Sequence, residues 1–301
     1  MNQTTNNDSN SSTTLPLTIN LHVTRACNYH CACCYAHFED AQFAACHMDR
    51  SAWGKIIDEL ADLAPHPSGR ARKITFSGGE PTLVPYLPDL VRQCRQAGFA
   101  TSVITNGSTL ASPRMAELFS HLDWLAVSLD SADPATLRQL GRCCDDGRIA
   151  TPADLAPVFD KARQAGCRIK LNTVVSQLNK HEHLGAAVAA LKANRWKVLQ
   201  MMTVAGQNDG AGDKYGVTKG EFDAFVAANT PAAAAAGVTV VPEDTEAIAG
   251  SYCMVGPNGC FFDDFTGQHR YSHPILKVGV QAAFAEMYFD PATFEARGGS
   301  Y

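Results

Sequence analysis

Residues Leu17 to Phe38 read LTINLHVTRACNYHCACCYAHF, an apolar strand that runs straight into a loop with four cysteines in eight positions. Downstream, strand and helix patterns alternate. Trp53, Ile56, Ile57, Leu60 and Leu63 stand at helical spacing, and the strand RKITFS (Arg72 to Ser77) stops at Gly78-Gly79. Leu83, Leu87, Leu90, Val91 and Cys94 mark a second helix that Gly98 ends. The strand FATSVIT runs into Asn106-Gly107, a helix follows around Met115, Leu118, Phe119 and Leu122, and WLAVSLD (Trp124 to Asp130) is the fourth strand. Helices over Pro134 to Leu140 and Pro152 to Ala165, the strand RIKLNTVV, a helix over about His181 to Ala193 and the strand WKVLQMM complete six units. Six mostly apolar strands alternating with helices predict an α/β fold with a parallel sheet and helices on its outer face. Right-handed crossovers curl such a sheet, so six units rather than eight predict a partial (β/α)6 barrel open at one side.

Residues 15–205 form this barrel in the sequence reading, and residues 206–301 form a C-terminal extension that caps its open side. The extension contains a glycine-rich loop (GQNDGAGDKYG), a helix near Phe222, Phe225 and Val226, the low-complexity run PAAAAAG, and a hairpin YCMVGPNGCFF turning at Pro257-Asn258-Gly259. In barrels of this kind, chemistry gathers at the C-terminal ends of strands. The cysteine loop, Gly78-Gly79, Asn106-Gly107 and Ser128 all lie at such ends.

Composition narrows the function classes. The 301 residues are 46% hydrophobic, enough for a full core, and no apolar run approaches the roughly 20 residues that span a bilayer. A formal charge of −5 supplies no general basic surface, which argues against nucleic acid or a membrane surface as partner. The opening residues 1–14 read as a disordered polar tail, without the basic start and apolar centre of a secretory signal. The chain therefore reads as cytoplasmic. In a reducing compartment, clustered cysteines point to metal or catalysis, and scattered ones such as Cys46, Cys94, Cys143, Cys144 and Cys167 to core filling.

Cys27, Cys31 and Cys34 have the spacing C-x3-C-x2-C. Three thiolates on one short loop suit a soft metal centre. A structural zinc site would need a fourth ligand, for which His30 and His37 are candidates. The competing reading is a [4Fe–4S] cluster on three thiolates, which leaves one iron for another ligand. Cys33 falls outside the spacing and reads as a bystander.

The motif followed by an aromatic residue, Tyr35, resembles the radical S-adenosylmethionine superfamily, whose members commonly have a partial (β/α)6 barrel. The resemblance implies S-adenosylmethionine on the cluster's free iron and its reductive cleavage to a 5′-deoxyadenosyl radical. It also implies that Ser77, Gly78, Gly79, Glu80 and Pro81 (SGGEP) hold the methionine head group. Two glycines there let backbone approach a ligand closely. Asn106, Ser128 and Arg142 are implied contacts to the same molecule, together with Tyr35.

NLHVTRACNYHC, KITFSGGEP, ITNGSTL, LAVSLDS, IKLNTVV, RWKVLQ, HPILKVGVQAAF and ARGGSY, in this order from about Leu15 to the last residue, resemble the viperin family. That family consists of antiviral and antiphage radical enzymes. The resemblance implies a nucleotide dehydratase that takes hydrogen from ribose C4′ of a nucleoside triphosphate and expels the 3′-hydroxyl as water. The product would be a 3′-deoxy-3′,4′-didehydro nucleotide, a chain terminator. Base choice among CTP, UTP and GTP stays open, with CTP the default by analogy, UTP close behind, and Mg2+ a companion of the phosphates. Flavodoxin or ferredoxin is the kind of electron donor implied.

The chain does supply cations for a triphosphate: Lys73, Lys170, Arg195, Lys197 and Arg297. Lys170 and Asn172 share one face of their strand, as do Arg195 and Lys197. Cations facing inward are costly unless an anion joins them. By the same resemblance Asn20 and Asn172 meet the ribose and Tyr252 gates the nucleotide. His269 and Arg270 replace a phosphate-binding lysine, and Asp263-Asp264 either touch the base or are solvated. Two alternatives stay open on the residues alone. One is a radical enzyme modifying peptide or RNA, for which Cys253 and Cys260 make a sparse extra module. The other is a zinc-stabilised scaffold without catalysis.

Overall fold

The computed structural model of the chain describes residues 14–38 and 48–299; nearly all of the expected tail (residues 1–13), Cys46 and the last two residues lie outside them. Strands β1 (Thr18–His22), β2 (Lys73–Ser77), β3 (Ala100–Thr105), β4 (Trp124–Ser128), β5 (Arg168–Val175), β6 (Arg195–Gln200) and β7 (Thr239–Glu243) pair in parallel, each with the next. Helices α1 (Arg50–Ala61), α2 (Leu87–Gln96), α3 (Pro113–Phe119), α4 (Pro134–Gln139), α5 (Pro152–Gln164), α6 (Gly185–Ala190), α7 (Ala211–Tyr215) and α8 (Lys219–Ala235) connect them. Beyond β7 come α9 (Thr245–Ile248), β8 (Cys253–Val255), β9 (Cys260–Asp263), β10 (Arg270–Pro274), α10 (Ile275–Val278), α11 (Val280–Ala285) and α12 (Pro291–Ala296). All ten strands form one open sheet in the order β10-β9-β8-β1-β2-β3-β4-β5-β6-β7.

The strands have two faces with different chemistry. On β1, Ile19 and Leu21 are fully buried in the core, while Thr18, Asn20 and His22 line a cavity on the other face. On β5, Ile169 and Leu171 are core, and Lys170, Asn172 and Val174 line the same cavity. The period of two separates a helix-covered apolar face from a polar inner one. One hydrophobic core joins the two parts of the chain: Trp53, Ile57, Phe159 and Trp196 share it with Phe225, Phe261, Ile275, Phe284 and Phe294.

Four features differ from expectation. The alanine run is the second half of α8, which Thr218 and Glu221 start with a reciprocal capping box. Alanine has the highest helix propensity, so this run of simple composition is an ordinary helix. The helix delivers the chain to β7, a seventh parallel strand that was not foreseen. The expected helix over His181 to Ala193 is shorter, Gly185–Ala190, and the helix expected from Leu83 begins as a 3-10 turn at Pro81–Leu83 before α2.

The chain's end crosses the sheet's open side. The Arg195 guanidinium on β6 donates to Gly298 O (2.6 Å), and Thr18 Oγ1 on β1 donates to Gly299 O (3.4 Å). The turn after α12 is thereby tied to two strands that lie five places apart in the sheet order.

Candidate active site

The cysteine loop leaves β1 and is held by backbone contacts on two sides. Gly79 N donates to Thr24 O (2.7 Å) and Glu80 N to Ala26 O (2.8 Å). A Cβ on Gly78 would sit 2.3 Å from Thr24 O, and one on Gly79 would sit 2.3 Å from Ala26 O. The glycine pair is therefore required by the cysteine loop's own backbone, whatever ligand it also meets. On the other side His30 N donates to Gly141 O (3.2 Å) and Ala32 N to Leu140 O (3.0 Å), and a Cβ on Gly141 would lie 2.1 Å from His30 O.

This second contact brings Arg142 to the thiols. Its Nη1 donates to Cys31 Sγ (3.4 Å) and its Nε pairs with Asp130 (3.1 Å). Burial pushes the Cys34 thiol up to about 12, and Cys31 and Cys27 add to the rise. Cys27 is also raised, mainly by burial and then by Cys31 among others. All described cysteines are free, so the loop is not a disulfide framework.

One cavity of about 340 Å³ runs from this loop down the inner face of the strands. Cys27, Cys31, Cys34, Tyr35, Ser77, Gly78, Gly79, Asn106, Ser128 and Arg142 line it near the C-terminal strand ends. Lys73, Lys170, Arg195 and Lys197 lie on it toward the strand starts, where Arg297 and Tyr252 join them. Asn20 and Asn172 fall between. Register supports this layering: Lys73 is opposite Thr18, Thr75 opposite Asn20, Lys170 opposite Arg195, and Asn172 opposite both Ser128 and Lys197. Asn106 Nδ2 donates to Asn28 Oδ1 (2.9 Å) and lies 3.8 Å from Cys27 Sγ.

Comparisons with known proteins give the family. The pattern of the Radical SAM superfamily matches residues 21–191. A protein of Flammeovirga pacifica named S-adenosylmethionine-dependent nucleotide dehydratase is 33% identical, over 94% of this chain and 94% of its own length. One of the same name from Selenomonas ruminantium is 34% identical over 93% and 97%. The chain belongs to this family. It spans 58% of the length of a further relative of that name, from Lacinutrix mariniflava, at 36% identity. A Siniperca chuatsi protein whose name adds RSAD2 is 30% identical over 95% of the chain, in keeping with the viperin resemblance. Streptococcus suis SuiB bound to S-adenosylmethionine shares the fold, with a TM-score of 0.66 at 16% identity over 94% of this chain and 68% of that one.

Radical SAM enzymes use a [4Fe–4S] cluster and S-adenosylmethionine, and the donor set here fits: three soft thiols on one loop, none spent on a disulfide. Among the described residues no three such side chains converge on a single ion's position. A cluster takes each thiolate on a different iron, so a spread set is suitable. Arg142 Nη2 and Ser77 Oγ are buried beside the loop without hydrogen-bond partners, two polar groups suited to a polar ligand there.

Several expected residues lie elsewhere or do something else. Glu80 and Pro81 do not line the cavity. Glu80 is fully buried and accepts from Thr82 N (3.0 Å), Thr105 Oγ1 (2.7 Å) and Asn106 N (2.7 Å). It anchors the end of β3, and hence Asn106. Arg270 is off the cavity because it neutralises buried Asp263 (3.1 Å), and His269 packs on Phe262 (centroids 4.8 Å). Asp264, by contrast, is on the wall and accepts from Gly250 N (3.2 Å). Tyr252 is anchored, not a free gate: its hydroxyl joins Lys197 (2.9 Å) and Glu243, and Arg297 covers its ring at 3.8 Å.

Sequence reasoning missed His22, Asp130 and Glu243. His22 lines the cavity and burial pushes its pKa down to about 3, so it is neutral. It shares Asn20's strand face two residues on, a signal that was legible. Cys33, read as a bystander, is on the cavity wall as well. Among the described residues no helix is long and apolar enough to cross a membrane.

Proposed function

We propose that the chain is a nucleoside-triphosphate dehydratase that forms a 3′-deoxy-3′,4′-didehydro nucleotide, with CTP first and UTP next as substrate. The observation that carries this reading is one continuous cavity with thiols at one end and five cations at the other. Its size suits a small molecule rather than a macromolecule. When bound, the cluster and S-adenosylmethionine supply a 5′-deoxyadenosyl radical.

The chain's own residues take the remaining tasks. Cys27, Cys31 and Cys34 would hold the cluster, and Arg142 and Asn106 would fix the loop and its ligand. Asn20 and Asn172, with amide donors and acceptors, would orient the ribose below them. Lys73, Lys170, Arg195, Lys197 and Arg297 would receive the triphosphate, accompanied by Mg2+. Residues 15–205 would thus carry the cofactors, and residues 206–301 would complete the nucleotide end through Tyr252 and Arg297. The product lacks the hydroxyl from which a polymerase extends, which supports an antiviral role. Free nucleotides and a flavodoxin or ferredoxin donor would place the reaction in the cytoplasm.

The test is to reconstitute the protein anaerobically, reduce it, and supply S-adenosylmethionine with each nucleoside triphosphate in turn. One triphosphate should stimulate 5′-deoxyadenosine release several-fold and yield a nucleotide lighter by one water. No stimulation by any of them would overturn the reading, and a colourless reconstituted protein would favour the zinc scaffold.

A further inference from the structure

A carboxylate stands among the cations of the cavity's lower end. Glu243, the last residue of β7, is fully buried and does not itself line the cavity. Its Oε1 pairs with Lys197 Nζ and with Arg297 Nη1 (3.3 Å), and its Oε2 accepts from the Tyr252 hydroxyl. The partners are tied to one another as well. Lys197 Nζ reaches the Tyr252 oxygen (2.9 Å), and Arg297 lies over the Tyr252 ring while donating to Ser251 Oγ and Ser251 O (both 2.6 Å). The four side chains come from β6, β7, the segment before β8 and the end of α12, which are distant in sequence.

Two roles are conceivable for such a carboxylate. It could occupy the phosphate position and compete with the substrate, or it could stand behind the cations and prepare them. Geometry favours the second, because Lys197, Arg297 and Tyr252 are on the cavity wall and Glu243 is behind all three. Both of its oxygens are used by these partners.

We infer that Glu243 is a positioning residue for the substrate's phosphate end, fixing Lys197, Arg297 and Tyr252 toward the cavity before an anion arrives. This rests on the nucleotide reading above. The charged surroundings make such a counter-ion necessary. Burial pushes Lys197 well down, and Lys170 from β5 and Arg297 from α12 push it further, while Glu243 opposes them. Lys73 on β2 and Arg195 on Lys197's own strand line the same wall, and burial pushes the pKa of each down. Burial alone would raise Glu243, yet Lys197 and Arg297 reverse this and hold it below the ordinary value. Without the carboxylate, Lys197 would lose the influence that opposes its burial, and its proton would be held less firmly still.

The test is calorimetric binding of inorganic tripolyphosphate to the reconstituted protein and to Glu243→Gln and Tyr252→Phe, at about pH 6 and about pH 8. Glu243→Gln should bind about tenfold more weakly at the higher pH and less so at the lower, because without the carboxylate Lys197 holds its proton less firmly. Cluster absorbance and nucleotide-independent 5′-deoxyadenosine release should match the parent. With the best nucleotide, KM should rise while kcat holds. Tyr252→Phe removes one hydroxyl and keeps the ion pairs, so it should weaken binding a few-fold. Equal or tighter binding by Glu243→Gln, or a loss independent of pH, overturns the inference. If Glu243→Gln does not fold, unchanged binding by Tyr252→Phe overturns it instead. A parent protein that binds no tripolyphosphate contradicts the nucleotide reading itself, a separate result.

Discussion

Lys170 shows how one side chain couples substrate charge to pH. It faces the cavity from β5, with no carboxylate in ion-pair distance among the described residues. Burial pushes its pKa from 10.5 down to about 8, Glu243 partly opposes, and Arg195 and Arg297 reinforce the fall. Between about 8 and 10.5 the unfolded chain therefore binds the proton that the folded chain has released. Over that window stability rises with pH, by up to about 3 kcal/mol from this group. Lys170→Met should be more stable than the parent at neutral pH and lose that advantage by about pH 10.5, as read from denaturant midpoints. Nucleotide binding has the opposite sign, because a phosphate favours the charged form. KM for the nucleotide should stay level below about pH 8 and climb above it, and Lys170→Met should raise KM without that inflection.

Among elements, the cysteine loop depends on how closely β2 and the Gly141 turn approach it. A Cβ at Gly79 would meet Ala26 O at 2.3 Å and Arg25 O at 2.6 Å, both backbone atoms that cannot swing aside. Gly79→Ala should cost about 1–3 kcal/mol and displace the loop. Iron content after reconstitution should fall several-fold, alongside a lower unfolding temperature. A variant that reconstitutes as fully as the parent would show that the loop can be held without this contact. The motif at Gly78-Gly79 was legible in the sequence, but its local reason was not. Doubled glycine suggests close approach to something, and only the fold shows that the cysteine loop is one such partner.

At the scale of the whole molecule, Arg297 closes the open side of the sheet. It binds Ser251 through two donors, pairs with Glu243 on β7, and covers Tyr252. Next to it, Gly298 accepts from Arg195 on β6. Arg297→Lys keeps the charge but cannot reproduce a planar fork with several fixed donors. It should lower the unfolding temperature and raise nucleotide KM about tenfold, with cluster absorbance intact. An unchanged KM would mean that only charge matters at this position.

The parallel sheet, the cysteine loop at a strand end and the strand faces carrying Asn20, Asn172, Lys170 and Lys197 were determined by the sequence alone, because each rests on local periodicity or short spacing. β7 was hidden, since an alanine-rich helix reads as simple composition until it is seen to cross the sheet. Glu243 was hidden for the same reason, and Arg270 looked available because its partner Asp263 could not be identified from spacing. Which cation meets a carboxylate depends on tertiary contacts, several of them between elements distant in sequence, such as Lys197 and Arg297 with Glu243. Local pattern carries no information about such pairs, and only the folded chain decides them.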